Sequence, residues 1–193
     1  LIAYQGNLEY PPLSSLSKVI PINGFFILKL LYTYNLSFDF IFMNINFFMN
    51  KAIEQANKAI LCKEVPIGAV LVDNISHKII NASHNMVNLN NNASSHAEIC
   101  LINEACKIKK TKFLVETSLF VTLEPCTMCA AAISEVHISR IYFGAYDEKK
   151  GSLDSIMKLY NTKNYFVPEV YGGIEEKKCS EILKNFFQTK RNR

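Results

Sequence analysis

From residue 50 onward the apolar positions follow two alternating periods. Ile53, Ala56, Ala59 and Ile60 stand at helical spacing and predict a first helix over 50–61, with Asn50 as its cap. The unbroken apolar run 67–72 reads as a buried strand and 78–82 as its partner, joined through the turn-forming Asp73-Asn74 into a hairpin. An Asn-rich loop fills 83–94. Ser95 then caps a helix whose apolar positions Ile99, Ile102 and Cys106 repeat at helical spacing, closed by the charged run 107–112. That run reads as a solvated helix end or as an RNA-binding patch, and its fit to the helix dipole favours the first. A strand at 119–123 follows. Pro125 suits the start of a helix reaching Val136, and 140–145 is the next strand. A helix over 153–160, a strand over 169–171 and a final helix over 175–189 complete the pattern. The final helix has Cys179, Ile182, Leu183 and Phe186 on one face, Phe186 being assigned to the core. Strands alternating with helices predict an α/β sandwich around a mixed sheet.

The first 48 residues break this regularity. They are rich in Asn, Phe, Ile, Leu and Tyr, and their only charges, Glu9, Lys18, Lys29 and Asp39, cancel. The apolar stretch 19–48 is interrupted by Lys29, Asp39 and four asparagines, with Pro21 and Gly24 at its start, so it fits neither a membrane span nor a secretory signal. Met43 and Met49 stand just before the first regular helix. Residues 1–42 are therefore expected to be a non-native or disordered extension, and 43–193 the working domain.

At 193 residues and 49% hydrophobic, the chain can build one well-cored domain. A net charge of +4 permits nucleic-acid binding without indicating it. Six cysteines are too dispersed for a disulfide scaffold, which points to a reducing, cytoplasmic compartment. Only Cys126 and Cys129 form a close pair. Cys62, Cys100, Cys106 and Cys179 are expected to be small buried hydrophobes.

Two short motifs carry the candidate chemistry. His96-Ala97-Glu98 opens one predicted helix, and Pro125-Cys126-Thr127-Met128-Cys129 opens another. Cysteines three apart project from one helix face, and the positive end of the helix favours the thiolate that binds zinc. Two thiolates and one imidazole make three of four tetrahedral ligands, leaving the open position of a catalytic site. Each motif has a plainer reading. Ser95-His96-Ala97-Glu98 is also a capping box, in which Glu98 bonds back to Ser95. The Cys pair alone reads equally as a redox motif, half of a structural zinc site or two core thiols. His77, His84 and His137 stand in unrelated contexts and read as surface or loop residues. Co-occurrence decides: His-x-Glu followed by Pro-Cys-x-x-Cys is the signature of zinc-dependent nucleobase deaminases. In that chemistry zinc makes water a nucleophile near neutral pH, and Glu98 moves the protons.

The chain resembles the bacterial tRNA-specific adenosine deaminase family of the cytidine and deoxycytidylate deaminase superfamily. The resemblance runs through Phe48-Met49, the segment from Glu64 to Val70, His84-Asn85, His96-Ala97-Glu98, the segment from Val121 to Cys129, Gly144-Ala145 with Asp147, and Phe186-Phe187. It implies a cytidine-deaminase-like three-layer α/β/α sandwich around a mixed five-stranded sheet. It also implies one Zn2+ per subunit and hydrolytic conversion of the wobble adenosine of an arginine tRNA to inosine. A homodimer would bind the anticodon stem-loop with residues from both subunits. By position Asn85 is similar to the family residue that hydrogen-bonds the target nucleotide, Asp147 to an anticodon-loop contact, and Phe187, Lys190 and Arg191 to C-terminal RNA contacts. Without the resemblance, Asn85 reads as a turn asparagine, Asp147 as a turn or helix cap, and Lys190-Arg191 as a solvated tail.

Two departures stand out. Asn92-Ala93-Ser94-Ser95 replaces the more usual Asp-Pro-Thr-Ala, and Gln188 stands where arginine is common, removing a possible phosphate contact. The rival functions are a guanine or cytosine deaminase, which shares the zinc motifs, and a non-catalytic zinc or RNA-binding module, which has no use for Glu98.

Overall fold

The computed structural model describes residues 43–191, and the extension expected over residues 1–42 lies outside them. From Asn44 onward the chain is one compact unit. Its helix α1 (Ile45–Leu61) begins five residues before the expected cap. Asn44 is the cap instead: its Oδ1 accepts the Phe47 N–H at 2.9 Å. The extra turn pays for itself by burying Phe48 and Met49, contacts that a local reading of spacing does not register.

The strands are β1 (Gly68–Asp73), β2 (Ile79–His84), β3 (Thr117–Leu123), β4 (Arg140–Ala145) and β5 (Glu169–Tyr171). They form the expected mixed sheet in the order β2-β1-β3-β4-β5. The β1–β2 and β1–β3 pairs are antiparallel, whereas β3–β4 and β4–β5 are parallel. Helix α2 (Ala97–Lys109) connects β2 to β3, α3 (Thr127–Glu135) connects β3 to β4, and α4 (Glu176–Arg191) closes the chain.

Alternation along the strands separates the layers. Ala69 and Leu71 of β1, Leu119 and Val121 of β3, and Ile141 and Phe143 of β4 join Leu101 of α2 and Ile133 of α3 in one buried cluster. The opposite face receives α1 and α4. There a Cβ on Gly68 would lie 2.1 Å from the Ala52 carbonyl oxygen, and one on Gly144 would lie 2.4 Å from Cys179 Sγ. These two glycines let the helices approach the sheet. The result is the three-layer α/β/α sandwich.

One expected element is missing. Residues 153–160 form turns and a single 3-10 turn, Leu159–Asn161, in place of an α-helix. The N–H groups of Leu153, Asp154 and Ser155 donate to Glu124 Oε1 at 2.8 to 3.0 Å. A carboxylate from the end of β3 thus takes the donors that a helix would have used. The final helix also differs from expectation. Cys179 is its only buried residue among those described, close against Gly144 of β4, and Phe186 is half-exposed. Of the four cysteines expected in the core, only Cys179 is buried; Cys62 follows the end of α1 in solvent, and Cys100 and Cys106 are half-buried. Among the described residues, no helix is long and apolar enough to cross a membrane.

Candidate active site

The strand directions bring several distant sequence segments to one end of the sheet. His84 at the end of β2 lies opposite Gly68 at the start of β1, and Leu123 at the end of β3 opposite Ala145 at the end of β4. Asn85, Cys126 and Asp147 follow directly from these strand ends, and Glu64 precedes β1. The first turns of α2 and α3 meet at the same end.

His96 is the N-cap residue of α2, and Cys126 is that of α3, both with extended backbone and neither using its side chain as a cap. His96 Nδ1 lies 3.7 Å from Cys126 Sγ and 3.5 Å from Cys129 Sγ. One ligand atom from each residue lies within 4.8 Å of the other two. The two positive helix ends draw negative charge to this point. Cys126 is lowered to about 4, first because Cys129 donates to its sulfur and then because His96 stands beside it. Cys129, which gives its hydrogen to that bond and is buried, is pushed up; His96 is raised through its bond to Cys126. A thiolate, a thiol and an imidazole sharing protons at this separation are a donor set ready for a divalent cation to replace those protons.

Glu98, in the first turn of α2, is 4% exposed. Its Oε2 is the one buried side-chain nitrogen or oxygen among the described residues with no hydrogen-bond partner. The capping-box reading therefore fails: Glu98 makes no bond to Ser95, whose hydroxyl instead accepts from Asn90 Nδ2 at 3.2 Å. Burial above all raises the Glu98 pKa. Leaving a carboxyl oxygen unsatisfied in a core is costly, and the cost makes sense where the partner arrives with the reaction. The soft donor set together with this orphaned acid fits one zinc ion in each chain, with His96, Cys126 and Cys129 able to hold it and Glu98 beside it.

The remaining expected residues take the following places. Asn85 is 3% exposed, and Met86 N donates to Ser95 O at 3.0 Å, which ties the segment after β2 alongside His96. Asp147 Oδ1 accepts the N–H groups of Lys149 and Lys150, so it caps a turn as its plainer reading anticipated. Phe187, Lys190 and Arg191 are exposed on the last turns of α4. Phe187, Gln188 and Arg191 line an open cleft with Lys149, so the segment after Asp147 and the end of α4 share one surface. His137 is a loop residue, stacked between Phe113 and Phe166 with ring centroids at 4.9 and 4.7 Å.

Two carboxylates were missed by the sequence reading. Glu64, fully buried, accepts from Asn85 Nδ2, Asn88 Nδ2 and Leu89 N at 3.0, 2.9 and 2.7 Å. Glu124, 2% exposed, accepts from Asp147 N through Oε2 and from the three N–H groups of 153–155 through Oε1, with the Ser155 hydroxyl also on Oε2. The available signal was a carboxylate embedded in an apolar run at the end of a helix or strand.

Burial raises the Glu124 pKa, but these donors, Asp154 N and the Ser155 hydroxyl foremost, outweigh it and hold the group below the ordinary carboxylate value. A depressed folded pKa means that Glu124 stabilises the fold fully above its unfolded pKa of about 4 and loses that contribution as pH falls through the folded value. Glu124→Gln is expected to cost about 2 to 3 kcal/mol at pH 7 and clearly less near pH 3. Urea denaturation at the two pH values measures the difference, and equal losses at both would refute the assignment.

The residue pattern and the geometry agree with comparisons to known proteins. The model of the cytidine and deoxycytidylate deaminase zinc-binding region matches residues 43–145, more than half of the chain. A tRNA-specific adenosine deaminase of Rickettsia bellii is 45% identical over 141 residues, covering 72% of this chain and 97% of that protein. The Bacillus subtilis protein of the same name is 40% identical, covering 76% and 90%. A solved structure from work on A-to-I editing by tRNA:A34 deaminases at the wobble position superposes with a TM-score of 0.68 at 42% identity, covering 70% of this chain and 98% of that one. This chain belongs to the tRNA-specific adenosine deaminase family, within the zinc-binding cytidine and deoxycytidylate deaminases.

Proposed function

We propose that this protein is a zinc-dependent hydrolase that converts the wobble adenosine of a tRNA, an arginine tRNA in particular, to inosine. Its deaminase unit is residues 43–193, working in the cytoplasm as a homodimer on the anticodon stem-loop. The observation that carries the reading is the buried Glu98 carboxyl, its Oε2 without a hydrogen-bond partner, beside His96, Cys126 and Cys129. A binding module has no reason to bear the cost of that group.

His96, Cys126 and Cys129 hold the zinc ion, which supplies the Lewis acidity that makes water a nucleophile at neutral pH. Glu98 takes the proton from the attacking water and delivers it to the ring nitrogen beside the attacked carbon. It then takes the proton of the new hydroxyl on the attacked carbon and gives it to the leaving amine, so that the C–N bond breaks, ammonia departs and a carbonyl remains. Burial, which raises its pKa, suits a group that must both take and return a proton. Asn85 hydrogen-bonds the target nucleoside, and Asp147, Phe187, Lys190 and Arg191 contact the surrounding loop. The shared surface of Lys149 with Phe187 and Arg191 supports these RNA contacts, since it sets cations beside an exposed aromatic ring on which a base can stack.

The test is inosine formation in an anticodon stem-loop carrying a wobble adenosine, with free guanine and cytosine as parallel substrates. Inosine with no release of ammonia from the free bases is expected. Ammonia from the free bases alone would move the assignment to a small-base deaminase, and zinc binding with no turnover of any substrate would leave only a binding module.

A further inference from the structure

The fully buried Glu64 lies outside the proton path, yet it determines what Asn85 can offer a substrate. An asparagine side chain has two faces, a donating NH2 and an accepting carbonyl, and their order is decided by whatever holds one of them. Here Asn85 Nδ2 lies 3.0 Å from Glu64 Oε2. The same carboxylate accepts from Asn88 Nδ2 and from Leu89 N, a backbone donor that cannot be reversed. Turning the Asn85 amide over would set two acceptor oxygens 3 Å apart with no hydrogen between them. The backbone offers no freedom either, because Asn85 N donates to Ile67 O at 2.9 Å and Asn85 O accepts from His84 Nδ1 at 2.8 Å. Among the described residues Asn85 Oδ1 has no hydrogen-bond partner, and it is not sealed, since Glu98 Oε2 is the sole buried, unpartnered side-chain oxygen among them.

We infer that Glu64 is a positioning residue that locks the Asn85 amide with its NH2 inward, so that position 85 presents a hydrogen-bond acceptor and recognises a donor on the nucleoside. This rests on the reading of Asn85 as a nucleoside contact. On a nucleoside the candidate donors are the exocyclic amine and a ribose hydroxyl. A ring nitrogen that only accepts is rejected by the same geometry, because an oxygen facing it is repelled.

A polarity swap tests the lock. Asn85→Asp alone sets a carboxylate against the Glu64 carboxylate and is expected to lower kcat/KM for the wobble-adenosine stem-loop about a hundredfold. Adding Glu64→Gln gives position 64 an amide that donates to the new carboxylate at 85 and, once the exposed Asn88 amide turns over, to the Asn88 oxygen, while its own oxygen still accepts from Leu89 N. Position 85 again offers an acceptor outward, and kcat/KM is expected to return to within about tenfold of the parent. A double variant that matches the parent in zinc content and melting temperature but stays as slow as Asn85→Asp would overturn the inference, because it would show that position 85 must donate. Asn85→Asp that loses no activity would overturn it as well.

A second measurement does not depend on the swap folding. The parent and Asn85→Ala are compared on stem-loops with adenosine or 2′-deoxyadenosine at the wobble position. A deoxy penalty present in the parent and gone in Asn85→Ala supports the hydroxyl as donor. A loss from Asn85→Ala that is equal on both substrates supports the amine. No loss on either substrate overturns the proposal. A parent that makes no inosine at all refutes the tRNA reading instead, so the two failures are separable.

Discussion

Glu98→Gln is expected to lower the rate of deamination by about a thousandfold or more, within the range that a positioned general acid-base supplies, while bound zinc stays at the parent level. The substitution keeps the shape of the side chain and removes its ability to carry a proton. Stability should move the other way. Burial raises the folded pKa of Glu98, so its contribution is fully present below the unfolded pKa of about 4 and is eroded as pH rises through the folded value. An amide has no such erosion. In chelator-treated protein, where no cation offsets the burial, the melting temperature of Glu98→Gln at pH 7 should equal or exceed that of the parent. Inosine yield, zinc content and thermal melting together check this. A variant that keeps more than about a tenth of the parent rate would show that the proton moves by another route.

This opposition of activity and stability explains which parts of the molecule were legible in the sequence. His96, Glu98, Cys126 and Cys129 could be read because the chemistry of a metal site demands those residue types at those spacings, and because each pair lies within one helical turn. The helices that carry them, and the main part of all five strands, were legible for a similar local reason, their apolar periods, whereas Ser83 and His84 at the polar end of β2 were read as loop. The failures are non-local. A helix over 153–160 had acceptable periodicity, but its amides are claimed by Glu124, 29 to 31 residues away in sequence. The start of α1 was misread because the packing of Phe48 against Phe120, 5.3 Å between ring centroids, extends the helix back to Asn44. Phe186 is assigned to the core by its helical period, whereas in the fold it is half-exposed, edge-on to the exposed Phe187.

Glu64 and Glu124 escaped for a related reason. A carboxylate in sequence looks the same whether it faces water or gathers backbone amides, and only the fold distinguishes the two. Both acids sit at the chemical end of the sheet, and each fastens a loop that the resemblance associates with substrate: 85–89 through Glu64 and 147–155 through Glu124. Buried charge-assisted bonds hold both loops. The candidate site therefore sets a donor group able to hold a metal, and an acid with an unsatisfied oxygen, on helix starts, with loops pinned to the same sheet end by buried acids.

Cys129→Ala should abolish zinc binding and with it nearly all turnover, a loss of about three orders of magnitude or more. Of the three ligand residues Cys129 is the buried one, and it stands in the first turn of α3, where the backbone fixes its sulfur most firmly. Removing it leaves Cys126 and His96, two ligands on separate helices, too few for the closed side of a tetrahedral site. Because zinc binds the folded chain more tightly than the unfolded one, it also adds stability that grows with its concentration. Chelation should therefore lower the melting temperature of the parent and leave that of Cys129→Ala unchanged, which separates loss of the metal from general damage to the core. Cys62→Ala, at an exposed cysteine just past the end of α1, should keep both the metal and the response to chelation. Metal analysis and melting curves with and without chelator decide the matter: a full equivalent of zinc in Cys129→Ala would remove that residue from the ligand set and require a different donor to complete it.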